Sequence, residues 1–448
     1  MRLARLWVMG FTWLILAFWL LLFFCWDIFE QWDTVKSSDP IEVLWWPQFS
    51  FQYEELRLCG AYECYFTTNR LRLPRVRAVL FYGTTLTTAD YPLPRSPHQV
   101  WALLHEESPK NVPYMAFDEF LQHFNYTSTF SRYSDLPLTT QWLPSAHDLT
   151  SMDYVMSFDF KSSNVNGPSP SVVFLQSDCN TMSGREDYVQ ELMRHINVDS
   201  FGSCLRNKDL PQRLQNDYLN NLYSPEMLRF LANYKFMIAI ENAVCEDYIT
   251  EKFWRPLVIG VIPIYFGSPS IKDWQPQNKS AIFVDDFPNA AALGQYLMAL
   301  SENKTEYNSY RGHKLNRSHP IQNKRLIRDL LTRPTDMTDI SAGRSVTRVF
   351  ECAVCKYLNT YRPNGIKRAN VRHYNCPLRP IHVPLEGRKR PKYADDWRST
   401  NEVGQCQATI LDSYLRSNVA YSEADFDAEF NRRLNHNLCA AVPTLTQT

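Results

Sequence analysis

Asp247-Tyr248-Ile249-Thr250-Glu251-Lys252 lies between two apolar, strand-like segments, residues 234–240 and 261–266. The spacing predicts a helix over residues 248–259 that follows a buried strand, with Tyr248, Glu251 and Lys252 on its first turn. In an open α/β sheet that position binds anions: the helix amides and dipole favour phosphate, Lys252 adds a point charge, and Glu251 can hold a sugar hydroxyl. A nucleotide-sugar pyrophosphate suits such a place. On spacing alone the same residues also make a capping segment, with Asp247 as N-cap and Glu251 and Lys252 as solvated charges.

Outward from this stretch, short apolar runs alternate with amphipathic ones, which predicts an α/β fold. A first set of strands is expected at residues 41–46, 78–82 and 100–104. A second set is expected at 171–176, 235–240, 261–266 and 281–284, with helices at 185–196, 248–259 and 290–300. Between the sets, residues 161–170 are polar and carry Asn, Ser, Gly and Pro, a composition that favours turns and reads as a linker. The expected architecture is two Rossmann-like domains, residues 41–160 and 171–345, facing each other across a cleft. Residues 346–448 form a cysteine-containing C-terminal extension.

The 448 residues carry 47 basic and 47 acidic side chains, so no basic excess points to nucleic acid. Residues 6–26 are uncharged and apolar, long enough to cross a hydrocarbon core of about 30 Å as a helix. Arg2 and Arg5 precede the run and Asp27, Glu30 and Asp33 follow it. The positive-inside rule then puts residues 1–5 in the cytosol, a signal-anchor in the lipid bilayer at 6–26, a short stem at 27–40, and the rest in the lumen of the endoplasmic reticulum or Golgi. The competing cleaved signal peptide lacks a small-residue cleavage site after Trp26.

Ten cysteines lie beyond the span, and N-glycosylation sequons start at Asn125, Asn278, Asn303 and Asn316. Cys352-x2-Cys355 with His373-x2-Cys376 has ligand types and spacing that also suit zinc, but an oxidising lumen favours disulfides. Their connectivity is open.

Three segments together carry a family resemblance: Tyr234-Lys235-Phe236, then Glu241-Asn242, then Asp247 to Lys252 followed by Gly260-Val261-Ile262-Pro263-Ile264-Tyr265-Phe266-Gly267-Ser268. They resemble the donor-binding core of the α-1,3-fucosyltransferases, glycosyltransferase family 10, and the similarity runs from about residue 41 to 355. In detail the chain looks like the divergent animal subgroup numbered ten and eleven, regarded as protein O-fucosyltransferases. The resemblance implies a GT-B-like fold and an inverting transfer from GDP-β-L-fucose. Such a transfer needs a carboxylate to take the acceptor proton and cations to neutralise the departing diphosphate.

His105-Glu106-Glu107-Ser108-Pro109 supplies two carboxylates at a strand end. Only one of them can aim into the cleft from a regular strand. Position in the family motif selects Glu107 as the base. Arg185 resembles the family's diphosphate-binding arginine, and with Lys252 it offers two cations in place of a metal ion, so no metal cofactor is expected. Glu241, Asn242, Tyr248 and Glu251 complete the donor site. The one Asp-x-Asp spacing, Asp425-x-Asp427, sits in a polar tail and reads as a solvated helix face.

Where glycan-modifying members carry His-His-Arg-Asp, this chain has Phe81-Tyr82-Gly83-Thr84, so their acceptor is not carried over. Asn125 to Asp135, including Arg132, does match the family. The preferred acceptor is Ser or Thr of a folded, disulfide-rich secreted or membrane glycoprotein; the alternatives are the 3-position of N-acetylglucosamine on N-glycans and a catalytically silent luminal lectin.

Overall fold

The computed structural model describes residues 39–46, 53–163, 172–215, 221–334, 345–360, 367–436 and 438–439. The expected membrane span at 6–26 and most of the stem lie outside these residues. Among the described residues no helix is long and apolar enough to cross a membrane.

Two sheets form the frame. The first contains β1 (Ile41–Trp45), β2 (Glu54–Cys59), β3 (Tyr62–Thr67), β4 (Ala78–Tyr82), β5 (Val100–His105) and β6 (Tyr126–Thr129), in the order β2-β3-β1-β4-β5-β6. Only the β2-β3 hairpin is antiparallel. The second contains β7 (Val172–Leu175), β8 (Val198–Phe201), β9 (Phe236–Ile240), β10 (Ile262–Phe266) and β11 (Ile282–Phe283), in the order β11-β10-β9-β7-β8 and all parallel. β9 and β10 read Phe-Met-Ile-Ala-Ile and Ile-Pro-Ile-Tyr-Phe because both faces are buried, as parallel strands covered by helices require. The chain winds to one side from β7 to β8 and to the other from β9 onward, so the crevice that takes a ligand opens at the carboxyl ends of β7 and β9.

Helices α1 (Arg185–Leu192), α2 (Glu251–Val258) and α3 (Ala290–Glu302) pack around the second sheet. The helix expected at 248–259 starts three residues late. Thr250, not Asp247, is its N-cap, and its hydroxyl accepts from the Lys252 amide.

The linker expected at 161–170 is corrected at its start. Lys161 sits on a helix, Phe158–Ser163, and is buried with Nζ donating to the carbonyls of Tyr234 (2.7 Å) and Gly260 (3.2 Å). Leu143 and Leu149 also join the core of the second sheet, so this unit gathers chain from before the linker.

The C-terminal residues are not an appendage. Helix α4 (Ser345–Thr360) returns to the first sheet, where Phe350 and Val354 pack with Val43, Trp45 and Phe66. Disulfides Cys59–Cys352 and Cys64–Cys355 fasten it there. Helix α5 (Ala394–Ser417) lies across the other face of that sheet, and Ile410 and Leu411 join the core of Phe81, Trp101 and Phe120. At Gly404 a Cβ would stand 2.7 Å from that of Pro113, so the close approach needs glycine. The remaining disulfides are Cys179–Cys204, Cys245–Cys376 and Cys406–Cys439. The zinc alternative is thereby excluded for its cysteines, which pair with three separate partners. His373 instead holds the Thr127 hydroxyl through Nδ1 at 2.8 Å. Asp425 of the Asp-x-Asp pair forms a capping box with Ser422 at the start of α6 (Glu423–Asn435).

Candidate active site

Glu107 follows the carboxyl end of β5 and meets the second unit directly. Its Oε2 accepts a hydrogen bond from the Tyr248 hydroxyl at 3.2 Å. Its main-chain carbonyl accepts another, 2.7 Å, from the hydroxyl of Tyr374 in the C-terminal segment. Both tyrosines are buried and pack on Phe130, with ring centroids 4.9 and 5.0 Å away. Burial first, and then Glu107, push the Tyr248 phenol well above its ordinary value, so it stays a hydrogen-bond donor.

Glu106 turns the other way and accepts from the Tyr82 hydroxyl at 2.7 Å. Burial pushes its carboxyl up, against the pull of Tyr82. The two neighbours therefore part, Glu106 toward Tyr82 of the first unit and Glu107 toward Tyr248 of the second. Both lie past the end of β5, so the bend after the strand sets their directions, not the alternation of a regular strand. His105, just before them, is fully buried and pushed down to about 3 by desolvation, which makes it a neutral packing group. Its ring lies so close to Gly83 that a Cβ there would sit 2.3 Å from Nδ1.

The expected donor residues assemble at the ends of β7 and β9. Arg185 opens α1 and is 2% exposed, with Nη1 donating to the carbonyl of Ile240 at 3.1 Å and Nη2 to that of Asp178 at 3.3 Å. Its Nε has no partner among the described residues. Desolvation pulls the guanidinium down, while Asp178, Glu186 and Glu241 oppose it. A buried guanidinium held mainly by carbonyls keeps its charge little compensated, with only the Asp178 carboxylate at 3.9 Å among the described residues, which is the chemistry that attracts an anion. Asp178 also receives Lys110 Nζ at 2.7 Å from the first unit.

Glu241 follows β9 fully buried, and both its oxygens hold the start of α2, accepting from the Thr250 amide and hydroxyl at 2.8 Å each. Its expected donor contact is thus made through α2 and Lys252. Lys252 Nζ lies 3.5 Å from Glu241, 3.2 Å from Glu251 and 3.0 Å from the Thr250 hydroxyl. Burial pulls its ammonium down, but Glu251 and Glu241 outweigh that and hold it above the ordinary value, with Glu107 adding to the effect. Burial raises the Glu241 carboxyl. It also works to raise Glu251, which Lys252 and Arg255 nevertheless hold below its ordinary range. Asn242 carries a buried amide oxygen with no partner among the described residues, and its backbone carbonyl receives the Ser183 amide at 3.0 Å.

Three features of the site are absent from the sequence reading. Asp247 has φ 64° and is completely buried. Its carboxylate takes the amide and the guanidinium of Arg132, the Ser270 hydroxyl at 2.7 Å and the Trp274 indole at 2.8 Å. A residue matching a motif in the first unit is thereby locked to the donor-binding loop of the second. Tyr374 is the second, brought in by the Cys245–Cys376 bond, and the Lys110–Asp178 contact is the third. Nothing in local spacing marks any of them.

The sequons divide. Asn278, Asn303 and Asn316 are exposed. Asn125 is not available: its Oδ1 accepts from the Trp101 amide at 3.0 Å and from Arg95, and its Nδ2 donates to the Lys367 carbonyl at 2.8 Å. The triplet there runs into β6 and is buried.

Residues 166–369 match the profile described as glycosyltransferase family 10 (fucosyltransferase), C-terminal, and residues 38–141 match fucosyltransferase, N-terminal. Alpha-(1,3)-fucosyltransferase B of Drosophila melanogaster is 60% identical over 91% of this chain and 91% of its own. GDP-fucose protein O-fucosyltransferase 3 of Canis lupus familiaris is 44% identical over 86% of this chain and 81% of its own. The protein of the same name from Homo sapiens is 40% identical over the same shares.

Proposed function

Because the chain belongs to glycosyltransferase family 10, the fucosyltransferases, we propose that it moves L-fucose from GDP-β-L-fucose onto Ser or Thr of a folded, disulfide-rich protein domain. The observation that carries the mechanism is the meeting of Glu107 with Tyr248, in a site that also holds the buried cations Arg185 and Lys252. Glu107 takes the proton of the acceptor hydroxyl as that oxygen bonds to C1 of fucose from the face opposite the phosphate. The bond from C1 to the β-phosphate oxygen breaks, and its electron pair leaves with GDP. The product is α-linked. Arg185 and Lys252 meet the charge that grows on the diphosphate, which gives the reaction its electrostatic help without a divalent cation. Tyr248 and Glu251 hold the donor.

The protein acceptor is supported by the name of the relatives at 40–44% identity and, through the family resemblance, by Phe81-Tyr82-Gly83-Thr84 standing where glycan-modifying members carry another motif. The relative at 60% identity is named an α-(1,3)-fucosyltransferase, which supports transfer to N-acetylglucosamine as the second reading. The uncharged run at 6–26, the five disulfides and the exposed sequons support a single-pass protein of the endoplasmic reticulum or Golgi membrane with its catalytic part luminal.

Transfer from labelled GDP-fucose, run side by side on an oxidised cysteine-rich domain, its reduced and alkylated form, and an N-acetylglucosamine-terminated N-glycan, separates the readings. Labelling of the oxidised domain alone is expected. Equal labelling of both protein forms, or labelling of the glycan in their place, overturns the protein acceptor.

A further inference from the structure

A hollow of about 630 Å³ lies away from the donor cleft, at the opposite end of the first sheet, where Arg77 enters β4, Val100 starts β5 and Asn125 enters β6. The length of β5 separates it from Glu107, a distance of about 20 Å at a strand's rise. Five cations face it, Arg77, Arg95, Lys367, Arg368 and Arg416, and no carboxylate is among its described lining residues. Two of the five are neutralised from outside: Arg416 holds Asp412 at 2.7 Å, and Lys367 pairs with Asp135. Among the described residues no carboxylate forms an ion pair with Arg77, Arg95 or Arg368.

Arg95 is fixed. Its guanidinium donates to the carbonyls of His123 at 2.7 Å and Gln99 at 3.0 Å and to the Asn125 amide oxygen, and lies over the Trp101 ring at 4.4 Å. Burial and the neighbouring Arg368 pull it down to about 10, the mark of a desolvated cation beside a like charge. The rest of the lining is fixed by its own contacts: the Asn418 amide bonds the Arg95 backbone at both ends, the Gln122 amide bonds Glu119, Asp412 and Arg416, and Tyr357 adds a ring that suits an apolar sugar face.

We propose that this hollow binds a saccharide bearing sulfate or phosphate esters, at a site separate from the fucose-donor cleft. Its volume falls within the range of about 300–1,000 Å³ that small ligands occupy. The guanidinium fork matches tetrahedral oxyanions two oxygens at a time. Arg77 and Arg368 are exposed and free to close on the ester groups, whereas Arg95 supplies a rigid floor.

The test is calorimetric titration of the GDP-saturated protein with sucrose octasulfate and, in a second arm, with a hexose 6-phosphate. Saturation with GDP keeps either probe out of the donor cleft. Binding of at least one probe is expected, and the tighter arm identifies the ester. Arg77→Ala with Arg368→Ala, both on the surface, is expected to weaken that binding at least tenfold while donor hydrolysis stays at the wild-type rate. Binding that GDP abolishes, equal affinity in the double variant, or no heat from either probe overturns the proposal.

Discussion

The Tyr248 hydroxyl stands 3.2 Å from Oε2 of Glu107, and the two residues follow strands of different sheets. The Glu107 carboxylate is therefore oriented by the loop after β9. In the proposed mechanism that one hydrogen bond joins proton acceptance to donor binding.

Glu107→Gln is expected to keep GDP affinity while transfer falls by roughly 10²–10⁴-fold, the usual worth of a positioned base. Glu106→Gln is expected to cost far less, because burial already biases Glu106 toward its neutral form and the amide preserves an acceptor for Tyr82. Single-turnover rates with GDP titrations distinguish the two; unchanged turnover in the Glu107→Gln variant removes Glu107 from the mechanism.

Tyr374→Phe removes only the donor to the Glu107 carbonyl. A fall in kcat of a few-fold to about tenfold is expected, with KM for GDP-fucose unchanged, since one neutral hydrogen bond is worth about 1 kcal/mol. A rise in KM with kcat intact would show that the segment serves donor binding instead.

Lys252→Met should weaken GDP and GDP-fucose by the same factor, because in the proposed mechanism the lost charge faces the diphosphate that both share. It also removes the cation paired with Glu241 and leaves Glu251 with Arg255 alone, so thermal unfolding should move down. EDTA should leave wild-type transfer intact. Activity lost in chelator and restored by manganese would contradict the two-cation account.

Asp247→Asn should destabilise the protein by several kcal/mol at neutral pH, since Arg132 loses a buried carboxylate. Burial tends to raise Asp247, but Arg132, Ser270 and Trp274 outweigh it and hold the carboxyl below its ordinary value of 3.8. A lowered folded value means that this stability is complete above the unfolded value and is lost as pH falls through the folded one. The wild-type advantage in denaturant midpoint should thus be constant above about pH 5 and shrink below about pH 4. A constant gap down to about pH 3 would exclude the charge as its source.

Peptide mapping after secretion-pathway expression should find glycans on Asn278, Asn303 and Asn316 and none on Asn125. Occupied Asn125 would require the Trp101, Arg95 and Lys367 contacts to form after glycosylation, contrary to their burial.

The sequence alone determined what depends on residues close together in the chain. Two-sided burial made β9 and β10 legible as apolar runs, and the residues that come after β9 and begin α2 follow from them, which is why Glu241, Tyr248, Glu251 and Lys252 could be named together. Even there α2 starts at Glu251, because Thr250 caps it and Asp247 is drawn away by Arg132. β6 escaped notice because Tyr-Thr-Ser-Thr has no apolar run, and the hydroxyls of Thr127 and Thr129 are satisfied by His373, more than 240 residues away.

Only the tertiary structure decided the contacts whose partners are remote. Cys352 and Cys355, three residues apart, could be read as a metal pair or as disulfides; the packing of α4 on β2 and β3 brought each to its own cysteine across about 290 residues. A sequon states that three residue types are adjacent, and it took the fold to bury Asn125. Periodicity fixes which face a side chain takes, but a hydrogen bond between Tyr374 and Glu107 needs two sheets and a returning chain to place its donor, and no local pattern encodes that distance.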